Sequence, residues 1–391
     1  MITTEIHNIQ IPKRFYSLDV LRGIASLAVV VWHWQHFFCN GNTESIIYNV
    51  EQQPFYSFLF LFYKKGFLAV ELFFSLSGFV FFWLYSIKIL ENKINYKDFF
   101  VLRFSRLYPL HFFTLLIVAS EQTVYHHYNN TFFIYLNNDL YHFTLNIFLI
   151  SFWGFQNGNS FNGSVWSVSI EILLYIIFYI YSTYGGSRSI WRCLLIIIGS
   201  FCATIYLPRL AFFPLQILPI IKGLFSFFMG GISFLLFDKV VKSKYSIKKI
   251  TTIFTIMTIF FWFLAITFLK YNLIPSNIFS KLSTLSYYFV TGLLFPLTII
   301  TLAIFETNRG TLGRRFQFIG DITYSSYLLH FPLQIIFVLF TNYFGIRQDF
   351  YYTSLSFFTF FIILIPFSLI TFKFFEKPCQ ILIRKKFSKN V

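Results

Sequence analysis

The sequence predicts an all-α, polytopic integral membrane protein of about ten transmembrane helices, with both termini in the cytoplasm. Composition is the first observation behind this. Of 391 residues, 57% are hydrophobic, 23% are aromatic and only 12% are charged, about half the charged share of a soluble domain. The 59 Phe alone exceed what a water-soluble core of this size can hide beneath a polar surface. Disorder, a collagen-like fibre and a small disulfide-stapled domain are excluded on the same grounds. The second observation is a series of apolar runs long enough to cross hydrocarbon, and the third is where the basic residues fall between them.

A span needs about twenty mostly apolar residues. Such runs occur at 17–38, 66–87, 106–125, 165–183, 190–207, 219–237, 250–269, 285–305, 321–342 and 352–373. The run 141–153 is too short and breaks at Gly154, so it reads as an interfacial or re-entrant helix before the polar stretch Gln156–Ser164. The whole chain, 1–391, forms one transmembrane domain, with a polar N-terminal segment 1–16 and a basic tail 374–391. No small-x-small cleavage site follows the first run, so a signal peptide is not expected.

Net charge is +16, which in a soluble protein would suggest nucleic acid. Here location decides. With the N-terminus inside, the outer side holds only Lys64, Lys65, Arg209, Lys222, Lys270, Lys281 and Arg347, and no Lys or Arg occurs between Arg106 and Arg188. The remaining basic residues cluster on the inner side, as cytoplasmic loops require. No nucleic-acid partner is expected, only membrane lipids around the bundle. Cys39, Cys193, Cys202 and Cys379 show no metal-ligand spacing, and neither a disulfide framework nor a metal is expected.

Ionisable groups inside spans are costly and mark sites. In the first span Arg22 and His33 lie eleven residues apart, three turns plus about 20°, so they share a face with Asp19 and Ser26. Arg22 sits near the inner interface and His33 about 7–8 Å below the outer end. The alternative is that Asp19 and Arg22 lock helices together and His33 only packs. Glu171, six residues into the fourth span, lies about 9 Å below the outer surface. A carboxylate and an imidazole at matching depth predict an acid–base pair in which Glu171 orients His33; a structural hydrogen bond from Glu171 to a neighbouring Tyr or Trp is the competing reading. Glu71 is a further acidic candidate, nearer the interface.

At the inner mouth of the third span Arg103 and Arg106 share one helical face, and with Arg22 they suit phosphate, which guanidinium groups bind in forked geometry. Basic residues at an inner helix end are also ordinary topology signals. Within SLSGF, Ser75 suits helix packing, while Ser77 and Gly78 fit either close contact or a ligand. His330 lies mid-span two residues before Pro332, as a site residue or as the filler of a kink. His36, His111 and His142 read as interfacial.

Five stretches in order resemble the membrane acyltransferase-3 family of bacterial sugar and polysaccharide O-acyltransferases. They are LDVLRGIASLAVVVWHW (Leu18–Trp34), VELFFSLSGF (Val70–Phe79), RFSRLYP (Arg103–Pro109), GSVWSVSIEILLY (Gly163–Tyr175) and YSSYLLHFPL (Tyr324–Leu333). The FEKP at Phe375–Pro378 is similar to that family's ending. The resemblance implies a ten-helix acyltransferase of the bacterial inner membrane, with His33 catalytic, Arg22, Arg103 and Arg106 serving the acyl donor, and Glu171 matching the glutamate after WSxS. Trp166 and Ser169 belong to that motif. The family often has Asp where Glu71 stands, and the extracytoplasmic hydrolase-like domain of some relatives is expected to be absent here.

The activity expected is transfer of an acyl group, acetyl by family habit, from cytoplasmic acyl-CoA (acetyl-CoA) to a hydroxyl of a sugar or lipid-linked glycan such as O-antigen, capsule or exopolysaccharide. His33 would take the hydroxyl proton, and Ser77 is a remote candidate as acyl carrier or oxyanion donor. The competing class is a transporter or flippase using the buried His, Glu and Arg as a path, for which inverted repeats and broken helices are expected; neither is visible in the sequence.

Overall fold

The computed structural model describes residues 11–41, 43–44, 48–156, 158–209, 215–270 and 279–388. The first ten residues of the N-terminal segment and the last three of the tail lie outside them. The described chain is almost wholly helical, apart from a two-residue antiparallel ladder joining Cys39–Asn40 to Thr43–Glu44. No disulfide joins any two of the described cysteines.

Eight of the helices described are long and apolar enough to cross a membrane. They correspond to α2–α3 (Tyr56–Lys65, Ala69–Leu90), α4 (Tyr96–Asn129), α6 (Val165–Thr183), α8 (Leu218–Val241), α9 (Ile247–Lys270), α10–α11 (Phe279–Phe289, Phe295–Arg309), α13 (Thr323–Tyr343) and α14–α15 (Ser354–Thr371, Lys377–Phe387). Two shorter helices of 17 residues, α1 (Tyr16–Trp32) and α7 (Ile190–Tyr206), stand where the sequence places its first and fifth spans. The chain is a multi-pass, all-α membrane protein. A short helix, α12 (Gln317–Asp321), precedes α13, and α5 (Leu140–Ile147) ends where the chain turns irregular through Gly154, at φ 99°. The break falls at Gly154, where the sequence places the end of an interfacial or re-entrant helix.

Helix direction follows from packing. Glu71, Ser75 and Gly78 of α3 meet Ser226, Gly230 and Gly231 of α8 in rising order, so the two helices run parallel. Between them lie α4 and α6, both long enough to cross, and α7; with α4 and α6 crossing, α3 and α8 are parallel only if α7 crosses as well. The crossing is close because the residues there are small. A Cβ on Gly78 would overlap the carbonyl oxygen of Phe227, and one on Gly230 would overlap that of Ser75. Helices in lipid approach this way because tail solvent supplies no hydrophobic drive between them.

The start of α1 is held by a carboxylate from a distant helix. Glu306 of α11, fully buried, accepts the backbone N–H of Tyr16 at 3.0 Å, the N–H of Ser17 at 2.9 Å and the Ser17 hydroxyl at 2.6 Å. These are donors a helix start leaves unpaired. Asp19, one turn on, pairs with Arg14 at 2.6 Å and with Arg22 at 3.3 Å, and Arg14 also reaches Asp321 of α12 at 2.9 Å. At the other end α1 tightens into a 3-10 turn over His33–Phe38.

Candidate active site

Three rungs bind α1 to α13. The Ser26 hydroxyl lies 2.8 Å from that of Ser326, His33 Nδ1 lies 2.8 Å from His330 Nε2, and Gln334 Nε2 donates to the His33 carbonyl at 2.9 Å. The rungs climb both helices together, so α1 and α13 are parallel neighbours. Their small hydroxyls allow the approach, and the histidines meet above them. His33 is 6% exposed and His330 is fully buried.

Hydrogen-bond chemistry assigns the protons. His330 Nδ1 faces the Ser326 carbonyl at 3.3 Å, and a carbonyl only accepts, so Nδ1 carries the hydrogen. His330 Nε2 is then a lone pair, and His33 must donate to it from Nδ1. The remaining nitrogen of His33, Nε2, is left as a base. Ser164 Oγ, at the start of α6, lies 3.3 Å from the same His330 Nε2. His36 stacks on the His33 ring with centroids 4.6 Å apart, and its Nδ1 lies 3.2 Å from Gln334 Oε1. Because Gln334 donates through its amide nitrogen, its oxygen is the acceptor and His36 Nδ1 the donor.

Glu171 does not meet His33, contrary to the pairing the sequence suggests. Its carboxylate accepts from Ser77 Oγ at 2.8 Å and from the Tyr175 hydroxyl. The reason is depth. Ser164 already sits beside His330, and Glu171 is seven residues further along α6, about 10 Å down the helix axis. The estimate from span ends failed because α6 begins level with the histidines rather than above them.

Glu171 instead belongs to a second cluster around a narrow cavity of about 70 Å³. Arg22, Arg103 and Arg106 line it together with Ser77, Glu171 and Tyr175. The three arginines foreseen as a group are therefore brought together. Arg103 donates to the Tyr85 hydroxyl at 2.5 Å and lies over the rings of Phe81 and Tyr85 at 5.1 and 5.0 Å, but its Nε is buried without a partner. Glu171 lies near enough to act on both Arg22 and Arg106. Among the lining residues one carboxylate, Glu171, faces three guanidiniums. Outside the lining Asp19 pairs with Arg22 and Glu376 acts on Arg106, while Arg103 has no carboxylate within ion-pair distance among the described residues. Such a surplus inside a low-dielectric bundle suits an anion.

The two clusters connect. Tyr327 lines the cavity, donates to the Ser164 carbonyl at 3.0 Å and lies 2.8 Å from Ser167 Oγ. Its ring centroid is 6.1 Å from that of His330. Tyr327 and Ser164 thus link the wall of the arginine-lined cavity to the histidine pair by hydrogen bonds.

Other sequence candidates lie elsewhere. Glu71 is buried but accepts from Ser226 Oγ at 2.7 Å between α3 and α8, outside the cavity lining. Gly78 is a packing residue, whereas Ser77 one position before it faces the cavity. Trp166 packs against Phe74 and Phe152. Ser169 accepts the N–H of Phe152 at 3.1 Å, and its carbonyl accepts from Trp153 at 2.9 Å, anchoring the segment around Gly154. Sequence reasoning set aside His36 and did not single out Gln334, Ser164, Tyr175 or Tyr327. The i, i+4 spacing of His330 and Gln334 was visible as one polar face of an apolar span; which helix it met was not.

A family model described as an acyltransferase domain matches residues 15–372, so it takes in both clusters. A curated relative, "Protein 2 in picA locus" of Rhizobium radiobacter, is 36% identical over 109 residues, 28% of this chain. The match spans 46% of that protein's own length, less than half. No solved structure matches the chain.

Proposed function

The chain belongs to the acyltransferase-3 family and is an acyltransferase, and on that premise we propose that it moves an acyl group from acyl-CoA, bound at the arginine cluster, to a sugar hydroxyl delivered at the histidine pair. The observation that carries this reading is the spatial order of the parts: three guanidinium groups line one small cavity, and Tyr327 and Ser164 stand between that cavity and the histidine pair. The cavity's small volume, about 70 Å³, suits a thin pantetheine arm better than a sugar ring, which argues for the donor entering from the arginine end. The basic-residue bias supports a donor on the cytoplasmic side and a glycan on the far side. The acceptor is a surface or lipid-linked glycan, and acetyl is the default group.

The chemistry asked of the chain is modest, because a thioester supplies an already activated carbonyl. His33 Nε2 accepts the proton of the acceptor hydroxyl as its oxygen bonds to the carbonyl carbon. His330 fixes the tautomer that leaves Nε2 free and spreads the charge of the imidazolium formed. As the C–S bond breaks, His33 returns the proton to the departing thiolate, and no group on the chain is consumed. His330 here takes the orienting part that a carboxylate plays in a Ser-His-Asp triad. Glu171 acts at the donor end, holding Arg22 and Arg106 in place with Ser77 and Tyr175.

Full-length protein in liposomes, given radiolabelled acetyl-CoA on the arginine side and envelope glycan extract on the other, tests the reading. Label on the glycan is expected, and its loss in His33→Ala. Thioester consumption with the label found only on water as free acetate, or no consumption at all, overturns it.

A further inference from the structure

Past the apolar run of α14 the helix continues through Phe372–Glu376 into α15, whose sequence KPCQILIRKKF places Arg384 against α4. Arg384 Nε donates to Ser105 Oγ at 3.2 Å and Nη2 donates to the Leu102 carbonyl at 3.3 Å. Both are long contacts to neutral acceptors, and they leave the rest of a five-donor fork unused. Ser105 lies between Arg103 and Arg106 in sequence, and the charges of both arginines act on Arg384. Among the described residues, none of these three guanidiniums has a carboxylate within ion-pair distance. Glu376, which is buried and accepts from Ser325 Oγ at 2.8 Å, and Glu171 both act on Arg106 from beyond that distance. Three like charges gathered from two helices repel one another unless an anion joins them.

We propose that Arg384 is the third guanidinium of a phosphate site shared by α4 and α15, taking a phosphate ester beside Arg103 and Arg106. This rests on the donor reading above and deepens it, since coenzyme A carries a diphosphate and a further phosphate on its nucleotide end. The same chemistry is offered by a lipid headgroup. On α15, Ile381 and Leu382 are exposed beside Lys385 and Lys386, the pattern of a helix lying in the headgroup layer.

The experiment uses full-length protein in nanodiscs of phosphatidylcholine, alone or with an equal part of phosphatidylglycerol. Coenzyme A and pantetheine are titrated against wild type, Arg384→Gln, Arg384→Lys and the double variant Lys385→Gln/Lys386→Gln. Arg384→Gln is expected to weaken coenzyme A binding about tenfold and to leave pantetheine unchanged. The lysine variant should lie between, and the double variant should match wild type, which separates the site from net charge. If coenzyme A binds equally well but Arg384→Gln loses stabilisation by phosphatidylglycerol, the site stands with lipid as the source of its phosphate. Arg384→Gln indistinguishable from wild type in both arms overturns the proposal; Arg384→Lys covers the case in which the glutamine variant unfolds. Wild type that ignores coenzyme A would instead sink the donor reading, with the lipid arm still testing Arg384.

Discussion

His33 is useful as a base only if one particular nitrogen is bare, and a single partner decides which. Replacing His330 by Leu removes the acceptor that holds the Nδ1 hydrogen of His33. The expected result is a fall in kcat of about 10²–10⁴, with donor KM little changed and a displaced pH profile. His330→Gln, whose oxygen can still accept, should retain more activity than His330→Leu; equal loss in both would reduce His330 to packing. Glu171 separates the alternatives from the other side. Beside the arginines, where the structure places it, and with these serving the donor as proposed, Glu171→Gln should alter KM for acyl-CoA and leave the pH dependence of kcat where it was. Had the carboxylate oriented His33, the pH profile would move instead. Sequence reading identified both residues and misjudged their relation, because residue counts along a span give depth only to the accuracy with which its first turn is known.

Two helix-level devices hold the site, and both yield to single substitutions. The α3–α8 crossing depends on the bare Cα of Gly78 and Gly230, so Gly78→Leu must push backbone from backbone. A loss of about 1–3 kcal/mol is expected for such overpacking, seen as a lowered unfolding temperature in detergent. Glu306 answers three donors at the start of α1. Glu306→Ala leaves them buried and should cost about 1–3 kcal/mol, and it should also reduce activity, because α1 carries Arg22 and His33. Stability lost with activity intact would mean that α1 is seated by its other contacts alone. Element positions along the chain were largely legible, since a bilayer demands about twenty apolar residues and the chain supplies them at regular intervals. The helix α15 was not foreseen, since its apolar residues are too few for a span and its basic ones read as a tail. Contacts such as Glu306 to Ser17 were not legible either, as nothing in one span's periodicity names the helix it faces.

At the scale of the whole molecule, the two parallel pairings fix what hydropathy leaves open. α7 has only 17 residues, short for a span, and its status decides the side on which every later loop emerges. The in-order contacts of α3 with α8 require α7 to cross; the same alternation, carried through α9 and α10–α11, makes α13 parallel to α1, as the Ser26–Ser326 and His33–His330 rungs demand. Were α7 to lie on the surface instead, α8 would run against α3 and the histidines would stand at opposite faces of the bilayer. Single cysteines placed at Lys64, before α3, and at Lys244, after α8, test this in a background with the four native cysteines changed to Ser. With an impermeant thiol reagent on intact cells, Lys64→Cys should label, and Lys244→Cys should label only after the membrane is opened. Labelling of both from outside would remove α7 from the membrane, and with it the arrangement on which the proposed approach of donor and acceptor from opposite sides depends.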